Sequence, residues 1–250
     1  MLNRTQSLRY ARQIALPDIG EQGQIKLQNS KVLLVGVGGL GAPAALYLAG
    51  AGVGTLLIAD GDQVDITNLH RQILYREDDS GDSKSDSAQR QLESLNPEVE
   101  IEAIDERLDE EMLNYYVPEV DLVLDCSDNL TTRLAVNRAC YQHRVPLVFG
   151  AAIRWEGQLA VFDFRKLGDS RPCYQCLFGD QLPEAPASCS ELGVMGPAVG
   201  IIGTAMALEA IKLLVGIPSD TVGALQLFDG MKFSWRQIKL NKHPDCPVCQ

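Results

Sequence analysis

Gly36-Val-Gly38-Gly39-Leu-Gly41 has the glycine spacing of a phosphate-binding turn. Gly36 permits the tight turn, Gly38 lets backbone N–H groups approach an anion, and Gly41 allows close helix–strand contact. A helix beginning here adds partial positive charge beneath the phosphates. Asp60, 24 residues after Gly36, lies where a carboxylate takes ribose hydroxyls. Arg71 is suited to fork onto phosphate oxygens. Asp128 can hold Mg²⁺ or cap the helix that follows it. Lys84 stands among Asp78, Asp79, Asp82 and Asp86, and taken singly reads as a solvated lysine. The turn alone suits NAD or FAD, whereas a triphosphate needs further cations and Mg²⁺ to neutralise it.

Seven cysteines give a second set of candidates. Cys173-Tyr-Gln-Cys176 and Cys246-Pro-Val-Cys249 each bring two thiolates to one tetrahedral zinc. The gap between the pairs exceeds that of a zinc ribbon, so spacing alone leaves redox chemistry open. Two pairs in a chain expected to be cytosolic favour a closed structural site with no catalytic position, and His243 competes only weakly for a ligand place. Cys126 and Cys140 read as small core residues. Cys189, among Pro183, Pro186, Ser188 and Ser190, reads as a loop thiol, either incidental or nucleophilic.

These residues need a scaffold, and the apolar pattern predicts one. Lys31–Val37, Thr55–Asp60, Asp121–Asp125 and Pro146–Ala152 are short runs without alternation, the mark of strands buried on both faces. Glu100–Ile104 alternates like a strand. Helices are predicted over Leu40–Ala51, Ser83–Leu95, Asp109–Val117 and Thr131–His143, so the first 152 residues read as a largely parallel, doubly wound sheet. Beyond them Gln158–Phe164, Ala224–Asp229 and Ser234–Leu240 look like strands with only the Gly196–Val215 helix among them. The expectation is an α/β, Rossmann-like fold extended by antiparallel C-terminal strands. Residues 98–121 hold ten acids and one basic residue, Arg107, a run that a solvated outer face explains.

Composition narrows the function classes. The 250 residues carry a net charge of −11, which argues against a nucleic-acid surface. No basic segment leads into an apolar one at the N-terminus, so a cytoplasmic protein is expected. Gly196–Val215 carries Glu209 and Lys212 and many small residues, which favours a buried helix over a membrane span. A nucleotide-sensing zinc protein that binds a partner is the non-enzymatic alternative.

Together with Arg9-Tyr10-Ala11-Arg12-Gln13, Asn68-Leu-His70-Arg71-Gln72 and Cys126-Ser-Asp128-Asn129, these motifs resemble the MoeB/ThiF family, relatives of the ubiquitin-activating enzymes. The resemblance runs over nearly the whole chain. It implies an adenylyltransferase that uses ATP and Mg²⁺ to adenylate the C-terminal Gly-Gly end of a small ubiquitin-like sulfur-carrier protein. Carried over by position, Gly36, Gly38, Gly39, Gly41, Asp60, Asn68, Arg71, Lys84, Asp128 and Asn129 would bind the nucleotide or its metal. Arg71, Lys84 and Asp128 would also act in the reaction, joined by Arg12 from the partner subunit of a homodimer. Cys189 aligns with a loop cysteine that can link covalently to the carrier. The family commonly has glutamine where this chain has His70. One domain over 1–250 is implied, with a nucleotide half (1–152) and a half for carrier, zinc and dimer contacts (153–250). Sulfur would come from a separate protein. The segment Ala151–Gln158 resembles the molybdopterin branch, whereas Pro43–Asp60 and Cys246–Cys249 resemble the thiamine branch; the first weighs slightly more.

Overall fold

The computed structural model describes residues 2–165, 171–179 and 192–250, and Cys189 lies outside them. Eight strands form one sheet: β1 (Lys31–Val35), β2 (Thr55–Ala59), β3 (Glu100–Ile104), β4 (Leu122–Asp125), β5 (Leu147–Ile153), β6 (Glu156–Phe162), β7 (Ala224–Asp229) and β8 (Ser234–Lys239). Their order is β3-β2-β1-β4-β5-β6-β7-β8. The pairs from β3 to β5 are parallel and those from β5 to β8 antiparallel. The α/β sheet with an antiparallel extension is therefore as the sequence predicts.

The buried strands lack alternation because both faces are covered. Val32 and Leu34 enter one apolar cluster, and Leu33 and Val35 enter the other. On the first face lie α3 (Gly20–Gln28), α4 (Gly41–Ala51), α5 (Lys84–Leu95) and α9 (Gly196–Val215). On the second lie α6 (Glu110–Tyr116) and α7 (Leu130–His143), with α8 (Tyr174–Phe178) against α7. Burial of a large aliphatic side chain contributes about 1.5–3 kcal/mol, so two such layers fix the sheet.

Three departures have local causes. The sequence reading assigned no element before residue 31, yet α1 (Arg4–Arg9), α2 (Ala11–Ile14) and α3 form there. α1 and α2 bury none of their own residues, so no apolar period announces them; α1 is held by a capping box between Asn3 and Gln6. The second is α8, an extra helix among the C-terminal strands, too short for a readable period. The third is β6, which begins two residues earlier than predicted. Ile153 pairs with Glu156, leaving a two-residue turn in which Arg154 takes φ +53°.

Helix α9 is long and apolar enough to cross a membrane by length and composition, but it packs within the protein. Ala198, Ile202, Met206, Ala210 and Leu213 enter the core, and its two charges pair with each other, Lys212 Nζ to Glu209 Oε1 at 2.9 Å. Its approach to α4 depends on Gly203, where a Cβ would stand 2.4 Å from the Leu40 carbonyl oxygen. Gly203→Ala is expected to destabilise the protein by about 2 kcal/mol, read as a lower melting temperature. An unchanged melting temperature would refute this account of the α4–α9 contact.

Candidate active site

A cavity of about 300 Å³ opens at the carboxyl ends of β1, β2 and β4, where open α/β sheets bind ligands. Its first wall is the turn between β1 and α4. Gly36 has φ +89°, a conformation costly for other residues, and it packs on the Cys126 carbonyl. A Cβ on Gly41 would stand 2.1 Å from the Gly36 carbonyl oxygen, so only glycine lets α4 start this close. Gly36, Gly38 and Gly39 line the cavity, while Gly41 shapes the turn from behind.

Asp60 follows β2 and faces the same space. Its Oδ2 accepts from the Val37 N–H at 2.8 Å and its Oδ1 from the Asp62 N–H at 3.0 Å. Burial raises its pKa, opposed by the Lys84 charge and those two N–H groups. Each oxygen keeps a lone pair that can receive a sugar hydroxyl.

The cations are arranged around Asp62, a residue absent from the sequence-derived set. Lys84 donates from Nζ to Asp62 Oδ2 at 2.9 Å, and Arg107 from Nη2 to Oδ1 at 2.6 Å. Burial raises the Asp62 pKa, but the bonds from Arg107 and Lys84 outweigh it and hold the carboxyl below its ordinary value. Lys84 is only 5% exposed, which corrects the reading of it as a solvated lysine. The acids around Arg107 lie on a solvated face as the sequence predicts, while Arg107 itself lines the cavity too. Only the isolation of Arg107 within an acidic run hinted at this, because Asp62 lies 45 residues away.

Arg71 lines the cavity on the turn after Ile66–Asn68. It donates to Asn68 Oδ1 and to the Thr67 carbonyl, and Nη1 meets His70 Nε2 at 2.8 Å. Asn68 orients Arg71 and does not itself line the cavity. Asp128 and Asn129 lie on the turn after β4 and both line the cavity. Asn129, not Asp128, caps α7, accepting from Thr132 N–H at 2.9 Å, which corrects the capping role offered for Asp128. Arg12 is exposed on α2 and does not line its own chain's cavity.

Among the described residues, Gln72 in the wall and Asp125 buried behind it carry unmatched atoms. Gln72 Oε1 and Asp125 Oδ2 are buried without a hydrogen-bond partner. Asp125 Oδ1 accepts from Ser127 N–H and Oγ, at 3.0 and 2.6 Å. Burial raises the Asp125 pKa despite Arg133 and Ser127.

The two Cys-x-x-Cys pairs converge. Sγ atoms of Cys173, Cys176, Cys246 and Cys249 all lie within 4.8 Å of one another. Individual separations are 3.6 Å for Cys173–Cys246, 3.2 Å for Cys176–Cys249 and 4.0 Å for Cys173–Cys176. A tetrahedral ion about 2.3 Å from each sulfur sets them about 3.8 Å apart, so the group can hold a metal. Burial pushes the Cys173 thiol up to about 11 and the Cys249 thiol higher, a penalty that a cation would reverse. His243 is outside this set; its backbone N–H donates to Cys176 Sγ at 3.3 Å. Cys126 and Cys140 are buried with thiols raised well above their ordinary value by desolvation, as core residues should be.

The description "ThiF family" matches residues 10–248. The chain is 47% identical over 248 residues to the sulfur carrier protein ThiS adenylyltransferase of Escherichia coli K12, covering 99% of this chain and 97% of that one. It is 44% identical over 243 residues to a sulfur carrier protein adenylyltransferase of Thermus thermophilus, covering 96% and 90%. To the adenylyltransferase and sulfurtransferase MOCS3 of Anopheles gambiae it is 46% identical over 250 residues, but it spans only 56% of that protein. Among solved structures, E. coli MccB with MccA-N7isoASN superposes with a TM-score of 0.82 at 22% identity, covering 99% of this chain and 75% of that one. That likeness concerns the fold.

Asp125 allows a test of the electrostatics behind the wall. A carboxyl raised above its unfolded value of about 3.9 adds stability that is full below that pH and lost as pH rises through the folded value. Asp125→Asn keeps an acceptor for Ser127 and removes the buried charge. It is expected to match or exceed the wild-type melting temperature at about pH 8, with the difference shrinking toward about pH 4. A variant markedly less stable at the higher pH would contradict this.

Proposed function

The chain belongs to the ThiF family, and from that premise we propose that it adenylates the C-terminal glycine of a small ubiquitin-like sulfur-carrier protein, consuming ATP and releasing pyrophosphate. The observation that carries the reading is one cavity lined by the Gly36–Gly39 turn, Asp60, Arg71, Lys84 and Asp128. A dinucleotide needs the turn and Asp60 but leaves the further cations and Asp128 without work; a triphosphate uses all of them.

The chemistry asks for little proton transfer. A C-terminal carboxylate has a pKa of about 3.3–3.7 and is already ionised at neutral pH. It attacks the α-phosphate directly, and pyrophosphate leaves as an anion. Among the described residues no histidine lines the cavity, which fits a reaction without a general base. Catalysis is then positioning and charge neutralisation. Asp60 takes the ribose hydroxyls, the glycine turn and α4 take phosphate oxygens, and Arg71 and Lys84 neutralise the phosphates.

Asp128 faces the cavity exposed and accepts no hydrogen bond from the described protein, so its oxygens suit a magnesium ion. Magnesium bound there would screen the phosphate charge. Arg12, exposed on α2, would reach the phosphates of a second copy in a homodimer. The four cysteines would hold a structural zinc, with no open position for catalysis. Residues 1–152 would serve the nucleotide and residues 153–250 the carrier, zinc and dimer contacts. Cys189 would serve as the loop thiol for covalent linkage to the carrier. A separate cytoplasmic sulfur donor would complete the route to the thiamine thiazole or molybdopterin.

Lys84→Ala and Asp128→Ala are each expected to lower carrier-dependent ATP–pyrophosphate exchange by about 10²-fold or more while leaving the melting transition intact. Near-normal exchange would remove that residue from the reaction. Arg12→Ala and Lys84→Ala proteins, each inactive alone, should regain part of the activity on mixing if Arg12 serves its partner's site. Failure to complement would place Arg12 outside the reaction or in its own subunit's site. About one zinc per chain is expected in protein purified without chelator. A metal-free, folded chain would contradict the zinc reading.

A further inference from the structure

A chain of contacts runs from the four-cysteine cluster to the turn that carries Asp128. Cys173 is the N-cap residue of α8 and is fully buried. Tyr174, the next residue, is 2% exposed and sets its ring edge-on to Phe149 of β5, with centroids 4.9 Å apart. Its backbone N–H donates to Asn137 Oδ1 on α7 at 3.0 Å, and the Asn137 side chain also lies against the Cys173 thiol. One turn earlier on α7, the Arg133 guanidinium shares the Phe149 ring with Tyr174, and it lowers the Tyr174 phenol pKa against the rise that burial causes. Arg133 lines the cavity and lies over the Phe149 ring, 5.2 Å from its centroid. Through Nε and Nη2 it donates to the Ser127 carbonyl at 3.2 and 2.8 Å. Ser127 directly precedes Asp128.

We propose that Tyr174 and Arg133 are positioning residues that couple the four-cysteine centre to nucleotide binding. The centre fixes α8, Tyr174 fixes the Arg133 guanidinium, and Arg133 fixes the Ser127 carbonyl and with it the aim of Asp128. The phenol matters because Arg133 has a competing partner: Asp125 Oδ2 is buried and unmatched, and its charge is felt at Arg133. Without the phenol, the guanidinium is free to turn toward Asp125 and release Ser127. The four-cysteine centre then does more than hold the C-terminus, because it sets the geometry of the wall opposite the glycine turn. This rests on the reading of the cavity as an ATP·Mg²⁺ site.

The test uses Tyr174→Phe, Arg133→Lys and the double variant, purified without chelator. ATP·Mg²⁺ affinity is measured by calorimetry, beside metal content, melting temperature and KM for the carrier protein. Each single variant is expected to weaken ATP·Mg²⁺ binding about three- to tenfold, and the double no more than the weaker-binding single, since both break one chain of contacts. Metal content, melting temperature and carrier KM should stay near wild type. Wild-type ATP affinity in Tyr174→Phe, effects that multiply in the double variant, or loss of metal from Tyr174→Phe would each overturn the coupling. Wild-type protein that binds no ATP would overturn the reading of the cavity itself, a different result from any variant's failure.

Discussion

Lys84 can be buried beside the glycine turn only because Asp62 stands 2.9 Å from its ammonium. An unpaired ammonium at that depth would deprotonate or pull the helix away from the sheet. The same carboxylate takes Arg107 on its other oxygen, so one acid holds two cations at the cavity edge. Its backbone is used as well: the Asp62 N–H donates to Asp60, and its carbonyl accepts from the Lys84 N–H at 3.0 Å. Asp60, the buried lysine and the start of α5 are therefore fixed through a single residue. The Arg107 arm is exposed and adds little to stability, so its value lies in placement.

The parts legible in the sequence are those whose cause is local. β1, β2, β4 and β5 have no alternation because two layers cover them, and an uninterrupted apolar run records that directly. The glycine turn is legible because a backbone carbonyl excludes any Cβ at Gly41. The cysteine pairs are legible because a tetrahedral metal needs four soft ligands. Contacts made across the chain leave no such record. Asp62 with Arg107, and Tyr174 with Arg133, join residues more than 40 positions apart. Lys84 looked solvated because its sequence neighbours are acids, whereas burial is decided by the sheet it packs on. The N-terminal helices were missed because α1 and α2 face water and bury nothing of their own.

The change from parallel to antiparallel pairing after β5 also has a consequence for the site. Parallel crossovers would carry the chain over the carboxyl edge again and again, whereas the two-residue turn at Arg154 reverses it at once. The sheet thus extends sideways, and α9 lies across β5, β6 and α4 to close the cavity with Val199. The two cysteine pairs lie along this extension in sequence, one after β6 and the other after β8. The short helix α8, capped by Cys173 and carrying Cys176, abuts α7, whose N-terminus borders the cavity. Distance along the chain and distance in the fold are here very different quantities.

A net charge of −11 is a poor guide to such a cavity, because most nearby carboxylates are already engaged. Asp60 spends an oxygen on each of two backbone N–H groups, Asp62 is divided between a lysine and an arginine, and Asp125 is buried on Ser127. The Asp62 charge is met by two cations at 2.9 and 2.6 Å, and burial shifts Asp60 and Asp125 toward their neutral forms. Asp128 differs: it is exposed to the cavity and accepts no hydrogen bond from the described residues. A polyanionic ligand would repel it unless a divalent cation came between them. Among the described residues that line the cavity, Asp60 and Asp62 are engaged, and Asp128 is the carboxylate whose oxygens remain open to such a cation.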